Sequence, residues 1–193
     1  MSCALQLPLL LGGSVILFPD RATPDRIFDL AGRYRPSIFY SVPTFYAAVL
    51  AGAVQRDALS SIRLCVSAGE MLPPAIYYEW RAKTGKEIVE HLGSTETLFA
   101  CFSNSPGKVR PGSSGRPIPG VQARLVDDDL EDVPAGQPGM LLVKANSVAA
   151  GYWTSRCKPS ARSWASGCAL VTCTTAMRTV SIGIAAVPVT YSK

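Results

Sequence analysis

The sequence predicts an α/β fold: a parallel sheet flanked by helices, followed by a small antiparallel β unit. Three observations carry this prediction. Up to about residue 105, apolar runs of strand length alternate with stretches of helical pattern. The connections between them are short and are punctuated by proline and glycine. From Pro106 to Ala149 the chain turns rich in Gly and Pro, and two strand-like runs flank an acidic cluster. With 193 residues and 48% hydrophobic composition, the chain can bury the core of one domain, or of one and a part. Residues 1–105 form the α/β part, residues 106–153 the β-rich part, and residues 154–193 a tail of different character.

In chain order, Leu5 to Leu11 reads as a short helix or the tail of one, stopped by Gly12-Gly13. Ser14 to Phe18 reads as a buried strand. Thr23-Pro24-Asp25 is a helix start: a capping hydroxyl, a proline in the first turn, and an acid near the positive end of the dipole. Ile27, Phe28, Leu30 and Ala31 supply its apolar face, and Pro36 marks its exit. Ser37 to Tyr40 is the next strand. Pro43 to Ala51 is a helix stopped by Gly52, and Ile62 to Ser67 is a strand. Pro73-Pro74 opens a helix carrying Ile76, Tyr77 and Trp80, closed by Gly85, before a strand from Glu87 to Glu90. Beyond Pro106, strands are expected over Gln122 to Val126 and Met140 to Lys144. The cluster from Asp127 to Asp132 lacks the glycine and spacing of a calcium loop and reads as a solvated hairpin tip.

Composition excludes several functions. The net charge of +5 invites a nucleic-acid reading, but residues 154–193 hold five of the 19 basic residues and none of the 14 acidic ones. The rest of the chain is therefore neutral, and it carries no nucleic-acid motif. Of the six cysteines, none forms a Cys-x-x-Cys pair, and a single histidine is present to join them, which argues against zinc. Cys65, inside an apolar run, reads as a small core residue. A reduced, cytoplasmic protein is expected. The run Leu5 to Phe18 is too short and too broken to span a bilayer, so no membrane partner is expected.

The chemistry concentrates in His91-Leu92-Gly93-Ser94-Thr95-Glu96. Gly93 lets backbone come close to a ligand, Ser94 and Thr95 offer hydroxyls to phosphate oxygens, and Glu96 offers an oxygen to Mg²⁺. Placed after a parallel strand, such a loop sits where open α/β sheets bind ligands. Taken alone, the six residues fit an ordinary polar connection equally well.

Other segments accompany it in order: Ser67-Ala68-Gly69-Glu70-Met71-Leu72-Pro73, Gly112 to Gly120, Pro134 to Gly139, and Gly151-Tyr152-Trp153. Together they resemble the adenylate-forming acid–CoA ligases, over Leu5 to Trp153. Gly93-Ser94-Thr95-Glu96 running on to Ser103-Asn104, and Ser41-Val42-Pro43-Thr44-Phe45-Tyr46, are most similar to the benzoate and hydroxybenzoate branch. The resemblance implies an interior slice of the large domain of such an enzyme. Its substrates would be an aromatic carboxylic acid, ATP with Mg²⁺, and coenzyme A. The acid attacks the α-phosphorus to give an acyl-adenylate and pyrophosphate, and the coenzyme A thiol then displaces AMP.

Carried over by position, Thr95 bonds the α-phosphate and Glu96 ligates Mg²⁺. Ala68, Gly69 and Glu70 line the adenine pocket. His91, Leu92 and Gly93 form the facing wall of the nucleotide or acyl site, and Ser94 is a further nucleotide-binding candidate. Tyr40, Val42, Pro43, Phe45 and Ser94 are the aryl-pocket candidates, since a flat apolar acid wants apolar and aromatic walls. Competing readings stay open: Phe45 and Tyr46 as core, His91 as an ordinary loop residue, Glu70 as a cap of the following helix. The sequence holds no Gly-x-x-x-x-Gly-Lys-Ser/Thr and no Ser/Thr/Gly-rich phosphate loop ending in lysine. From Thr154 the family pattern stops, where a ribose-binding aspartate would be expected; a reading-frame shift there would account for the change. The polypeptide is accordingly expected to lack turnover by itself. The alternative is a non-catalytic nucleotide-binding or relic chain. An amino-acid adenylating relative is disfavoured because Val42 to Tyr46 contains no acid to hold a substrate amine.

Overall fold

The computed structural model describes residues 6–149; the expectations for the tail and for Gly151-Tyr152-Trp153 lie outside them. Eleven elements follow in order: α1 (Leu7–Leu10), α2 (Pro24–Tyr34), β1 (Ile38–Ser41), α3 (Pro43–Leu50), β2 (Leu64–Ser67), α4 (Pro74–Thr84), β3 (Ile88–Gly93), β4 (Ala100–Ser103), β5 (Arg116–Pro117), β6 (Gln122–Val126) and β7 (Met140–Lys144).

The helix signals act as read. The Thr23 hydroxyl accepts the Arg26 amide at 3.3 Å, and Pro24 occupies the first turn of α2. Gly85 ends α4 in the left-handed region, its amide bonded to the Arg81 carbonyl. α2 exits just before Pro36, as expected, through Arg35, which adopts φ 49° and whose amide reaches Ala31.

β1, β2 and β3 run parallel, with Phe39, Cys65 and Ile88 in register. These three side chains share one face, and α3 and α4 cover it. Trp80 lies edge-on to Tyr46, ring centres 4.8 Å apart, and stacked with Phe39 at 6.4 Å. Leu59, Ile62, Leu72 and Tyr77 close this first core. The Tyr46 hydroxyl donates to the Val66 carbonyl at 3.0 Å, so a buried phenol is satisfied while it fills volume. Tyr46 and Cys65 are thus core residues.

The sheet then changes sense. β4 pairs antiparallel with β3, and the two-residue β5 pairs antiparallel with β4. Neither strand was expected, and β3 extends three residues past Glu90 because β4 is there to pair with it. β6 and β7 form a separate antiparallel hairpin, from Gln122 opposite Lys144 to Val126 opposite Met140. A second core joins that hairpin to β4: Cys101 and Phe102 pack with Leu141 and Val143. The acidic residues 127–132 form its tip. The Asp127 carboxylate accepts the amides of Asp129 and Glu131, and Arg124 pairs with Asp132 at 2.7 Å.

Ser14 to Phe18 forms no strand. Among the described residues no strand lies beside the run, and without a partner its peptide groups have no ladder to join. Leu17 is exposed, as are Leu9, Leu10 and Leu11 around α1. Among the described residues no helix is long and apolar enough to cross a membrane.

Candidate active site

Parallel strands bring their carboxyl ends to one edge, and the candidate residues collect there. Ser41, Ser67 and Glu90 stand in register at that edge. Alternation along each strand puts Tyr40, Val66 and Val89 on the face opposite the aromatic core, and His91 follows on that face.

The Tyr40 hydroxyl meets His91 Nδ1 at 2.5 Å, spanning the width of β2. The imidazole stands edge-on to Tyr40 and to Phe99, with ring centres 5.7 and 6.0 Å away. Burial pushes the His91 pKa below its usual 6.5, so the ring is neutral at pH 7. A phenol is a stronger acid than a neutral imidazole, so Tyr40 donates to Nδ1 and the proton of the ring sits on Nε2. A residue expected on the aryl wall and one expected on the nucleotide wall are thereby coupled.

The Ser94–Phe99 loop is held by a reciprocal pair of bonds. The Ser94 amide donates to Thr97 Oγ1 at 3.0 Å, and the Thr97 amide donates to Ser94 Oγ at 3.3 Å. The Thr97 hydroxyl itself lies 2.8 Å from the Phe99 carbonyl. Leu98 turns through φ 65°, and its amide donates to the Thr95 carbonyl. This turn exposes Thr95, whose hydroxyl makes no hydrogen bond among the described residues, while Glu96 is buried to 7% exposure. The Ala149 amide, past the end of β7, donates to the Glu96 carbonyl at 2.7 Å and ties the hairpin's exit to the loop.

The backbone requires glycine at Gly93 and at Gly69. Gly93 sits where the β3–β4 register shifts, and a Cβ there would overlap the Phe99 carbonyl oxygen. Its close approach is to its own chain. Gly69 turns at φ 87° immediately after β2, a conformation L side chains avoid. A Cβ on Gly69 would face Val42 Cγ1 at 3.7 Å.

The remaining candidates divide. Val42 is exposed beside Gly69, whereas Pro43 is buried in the first turn of α3 and Phe45 packs against the first core, 6.4 Å from Phe39. Glu70 caps no helix. α4 starts at Pro74 with no side-chain cap, and Glu70 accepts the Thr44 hydroxyl at 3.3 Å, linking the loop after β2 to α3.

Sequence reasoning gave no site role to three polar residues here: Thr97, Glu90 and Asn104, all buried. Ser94-x-x-Thr97 is a hydroxyl pair at capping distance and was a readable signal. Asn104 bonds the Ser113 carbonyl and the Arg110 amide, ordering the connection between β4 and β5. Glu90 looked like the last residue of a strand, and nothing local marks it as buried.

Among the described residues no three His, Cys, Asp or Glu side chains gather as a metal cage. The oxygen donors at the loop are the buried Glu96 carboxylate and the Ser94 and Thr95 hydroxyls, the type of ligand a hard cation such as Mg²⁺ takes.

A loop bearing hydroxyls and a carboxylate at the carboxyl edge of parallel strands stands where open α/β sheets bind ligands. The chain belongs to the AMP-binding enzyme family, whose model matches residues 1–153. It is 41% identical over 157 residues to the 4-hydroxybenzoate–CoA/benzoate–CoA ligase of Rhodopseudomonas palustris, covering 80% of this chain and 29% of that protein. Two solved structures superpose with a TM-score of 0.76. One is the anthranilate CoA ligase AuaEII in complex with anthranoyl-AMP, at 43% identity over 79% of this chain and 30% of the other. The second is a benzoate CoA ligase from Burkholderia xenovorans, at 42% identity over 79% of this chain and 32% of the other. The chain thus spans under a third of the length of the relatives it matches.

Proposed function

We propose that this chain supplies the adenine wall, the α-phosphate contact and part of the aryl wall of an AMP-forming aryl-acid–CoA ligase. The acid is of benzoate or hydroxybenzoate type. The observation that carries this reading is the convergence of Tyr40, Gly69, His91 and the Thr95-Glu96 turn on one sheet edge. The relatives named for benzoate, hydroxybenzoate and anthranilate support the substrate class.

In this reading Ala68, Gly69 and Glu70 offer a flat, backbone-lined surface to adenine, with His91, Leu92 and Gly93 facing it. The exposed Thr95 hydroxyl donates to the α-phosphate. Ser94 borders both the phosphate and the aryl ring. Tyr40 and Val42 line the ring, with Pro43 and Phe45 behind them as support. Glu96 would hold Mg²⁺, which when bound would supply positive charge to the phosphate oxygens. Coenzyme A then takes the acyl group. The cytoplasm suits these substrates.

Binding without turnover is the outcome for these 193 residues taken alone, because their sequence contains no phosphate loop ending in lysine. Loss of one such contact commonly costs on the order of 10²–10³ in rate. Calorimetric titration with Mg·ATP tests the reading. The chain should bind it, Thr95→Val should weaken binding, and Glu96→Gln should remove the Mg²⁺ dependence. No heat of binding with wild type would sink the nucleotide role. Pyrophosphate exchange with benzoate well above blank would overturn the absence of turnover.

A further inference from the structure

His91 is the single histidine of the chain, and its ring is held from two sides. The Tyr40 hydroxyl lies 2.5 Å from Nδ1, and the Tyr40 and Phe99 rings both stand edge-on to the imidazole. Tyr40 is in register with Val89 through Val66, and His91 follows Val89 by two residues on the same face. The bond therefore crosses β2 over a valine that is 1% exposed. Turning the ring over would put carbon where Nδ1 stands and break the bond.

The ring has one proton to place. Burial keeps it neutral at pH 7, and a neutral imidazole has one N–H donor and one acceptor nitrogen. The Tyr40 proton takes Nδ1 as its acceptor, so Nε2 carries the hydrogen. Nε2 makes no hydrogen bond among the described residues.

Position along the strand decides which substrate atom this donor meets. In the function proposed above, the carboxylate of the acid must reach the α-phosphate bonded by Thr95, beyond the end of β3. His91 lies two residues before that end at Gly93, about 7 Å back along the strand. The aryl ring extends away from its carboxylate toward Tyr40, so Nε2–H meets a ring substituent. Of the nucleotide and acyl sites that this wall borders, the bond to Tyr40 draws the imidazole to the acyl side.

We propose that Tyr40 is a positioning residue: its hydroxyl holds His91 as the Nε2–H tautomer, and that proton selects an aryl acid with a ring hydroxyl over benzoate and aminobenzoates. A phenolic oxygen accepts the hydrogen bond. Benzoate offers no acceptor at that point, and the lone pair of an arylamine is delocalised into its ring. A histidine able to change tautomer would accept from the amine instead; the bond from Tyr40 removes that option. The choice of substrate rests on the function proposed above, whereas the tautomer of His91 does not.

A single histidine makes the test direct. Labelling histidine in the 193-residue chain with the heavy nitrogen isotope gives one pair of imidazole resonances, whose shifts report which nitrogen bears the proton. Wild type should show Nε2–H alone at neutral pH. Tyr40→Phe should show both tautomers, with its fold intact by circular dichroism. The spectra are then repeated with Mg·ATP and benzoate, each hydroxybenzoate isomer or each aminobenzoate isomer. At least one hydroxybenzoate should shift Nε2 and bind about fivefold tighter than benzoate and the matching aminobenzoate, the worth of one neutral hydrogen bond. Tyr40→Phe should shrink the preference over the aminobenzoate. Should Tyr40→Phe lose its fold, the wild-type tautomer and the acid series decide. A wild-type ring protonated at Nδ1, or an unchanged tautomer in Tyr40→Phe, overturns the lock. Equal affinity for benzoate and every hydroxybenzoate, or an equal Nε2 shift with benzoate, overturns the selection alone. If no acid perturbs the resonances, the proposed function and the selection fall together, and the tautomer spectra still judge Tyr40.

Discussion

The two cores are built on different plans. The first, between the parallel strands and α3 and α4, is aromatic: Tyr46 stands edge-on to Phe39 and Trp80, Phe39 stacks with Trp80, and Tyr77 joins the same cluster. The second, between β4 and the β6–β7 hairpin, is smaller and mostly aliphatic, around Phe102, Leu141 and Val143. The first holds the floor of the candidate site, the strand ends that carry Tyr40 and His91 and lead into Gly69. The second holds the Ser94–Phe99 loop in place, through β4 and through the Ala149–Glu96 bond. Large rings with few rotamers make a rigid platform; a short hairpin tied on by a few aliphatic contacts makes a part that can loosen alone.

Trp80→Ala should do the most damage. Emptying a fully buried indole costs about 3–5 kcal/mol, enough to abolish the cooperative transition seen by circular dichroism. Leu141→Ala should cost about 2–4 kcal/mol, and hydrogen exchange should show the loss in β6, β7 and residues 94–99 first. Equal loss of protection across β1 and β2 in Leu141→Ala would mean that the cores unfold as one.

Gly93→Ala sits at the seam between them. Its Cβ overlaps backbone that can yield only by shifting the β3–β4 register, so we expect about 1–3 kcal/mol of destabilisation. Urea melts should show it together with loosening of the turn at Thr95.

The smallest effect is a pH slope. Glu90 has its folded pKa raised from 4.5 by burial, opposed by its bonds to Ser114 and Leu72. The native state therefore holds its proton more tightly than the unfolded state does. The resulting stability is fully present below the unfolded pKa and is lost as pH rises through the folded one. Glu90→Gln should flatten that part of the stability curve as measured by urea melts at a series of pH values.

The first core was the more legible of the two. Its helices announced themselves through Thr23-Pro24, Pro43 and Gly85, and its strands through apolar runs of β-branched and aromatic residues. β4 was not legible: Ala100 to Ser103 is four residues long, and only its partner β3 makes it a strand. The opposite error came at Ser14 to Phe18, where an apolar run has β propensity and no neighbour to pair with. In the site, Thr95, Glu96 and the Gly69 turn stood out because they are polar or glycine in unusual places. Glu90 and Asn104 did not, since their work is done by partners 6 to 24 residues away.

Each core contains one cysteine, Cys65 in the first and Cys101 in the second, both buried and free. Burial raises both thiol pKa values, that of Cys65 to about 11. Neither reacts until its surroundings open, because the thiolate is the nucleophile. With the four cysteines at positions 3, 157, 168 and 173 changed to serine, the molecule would carry one chemical clock per core. The ratio of the two labelling rates would measure how independently the platform and the hairpin breathe.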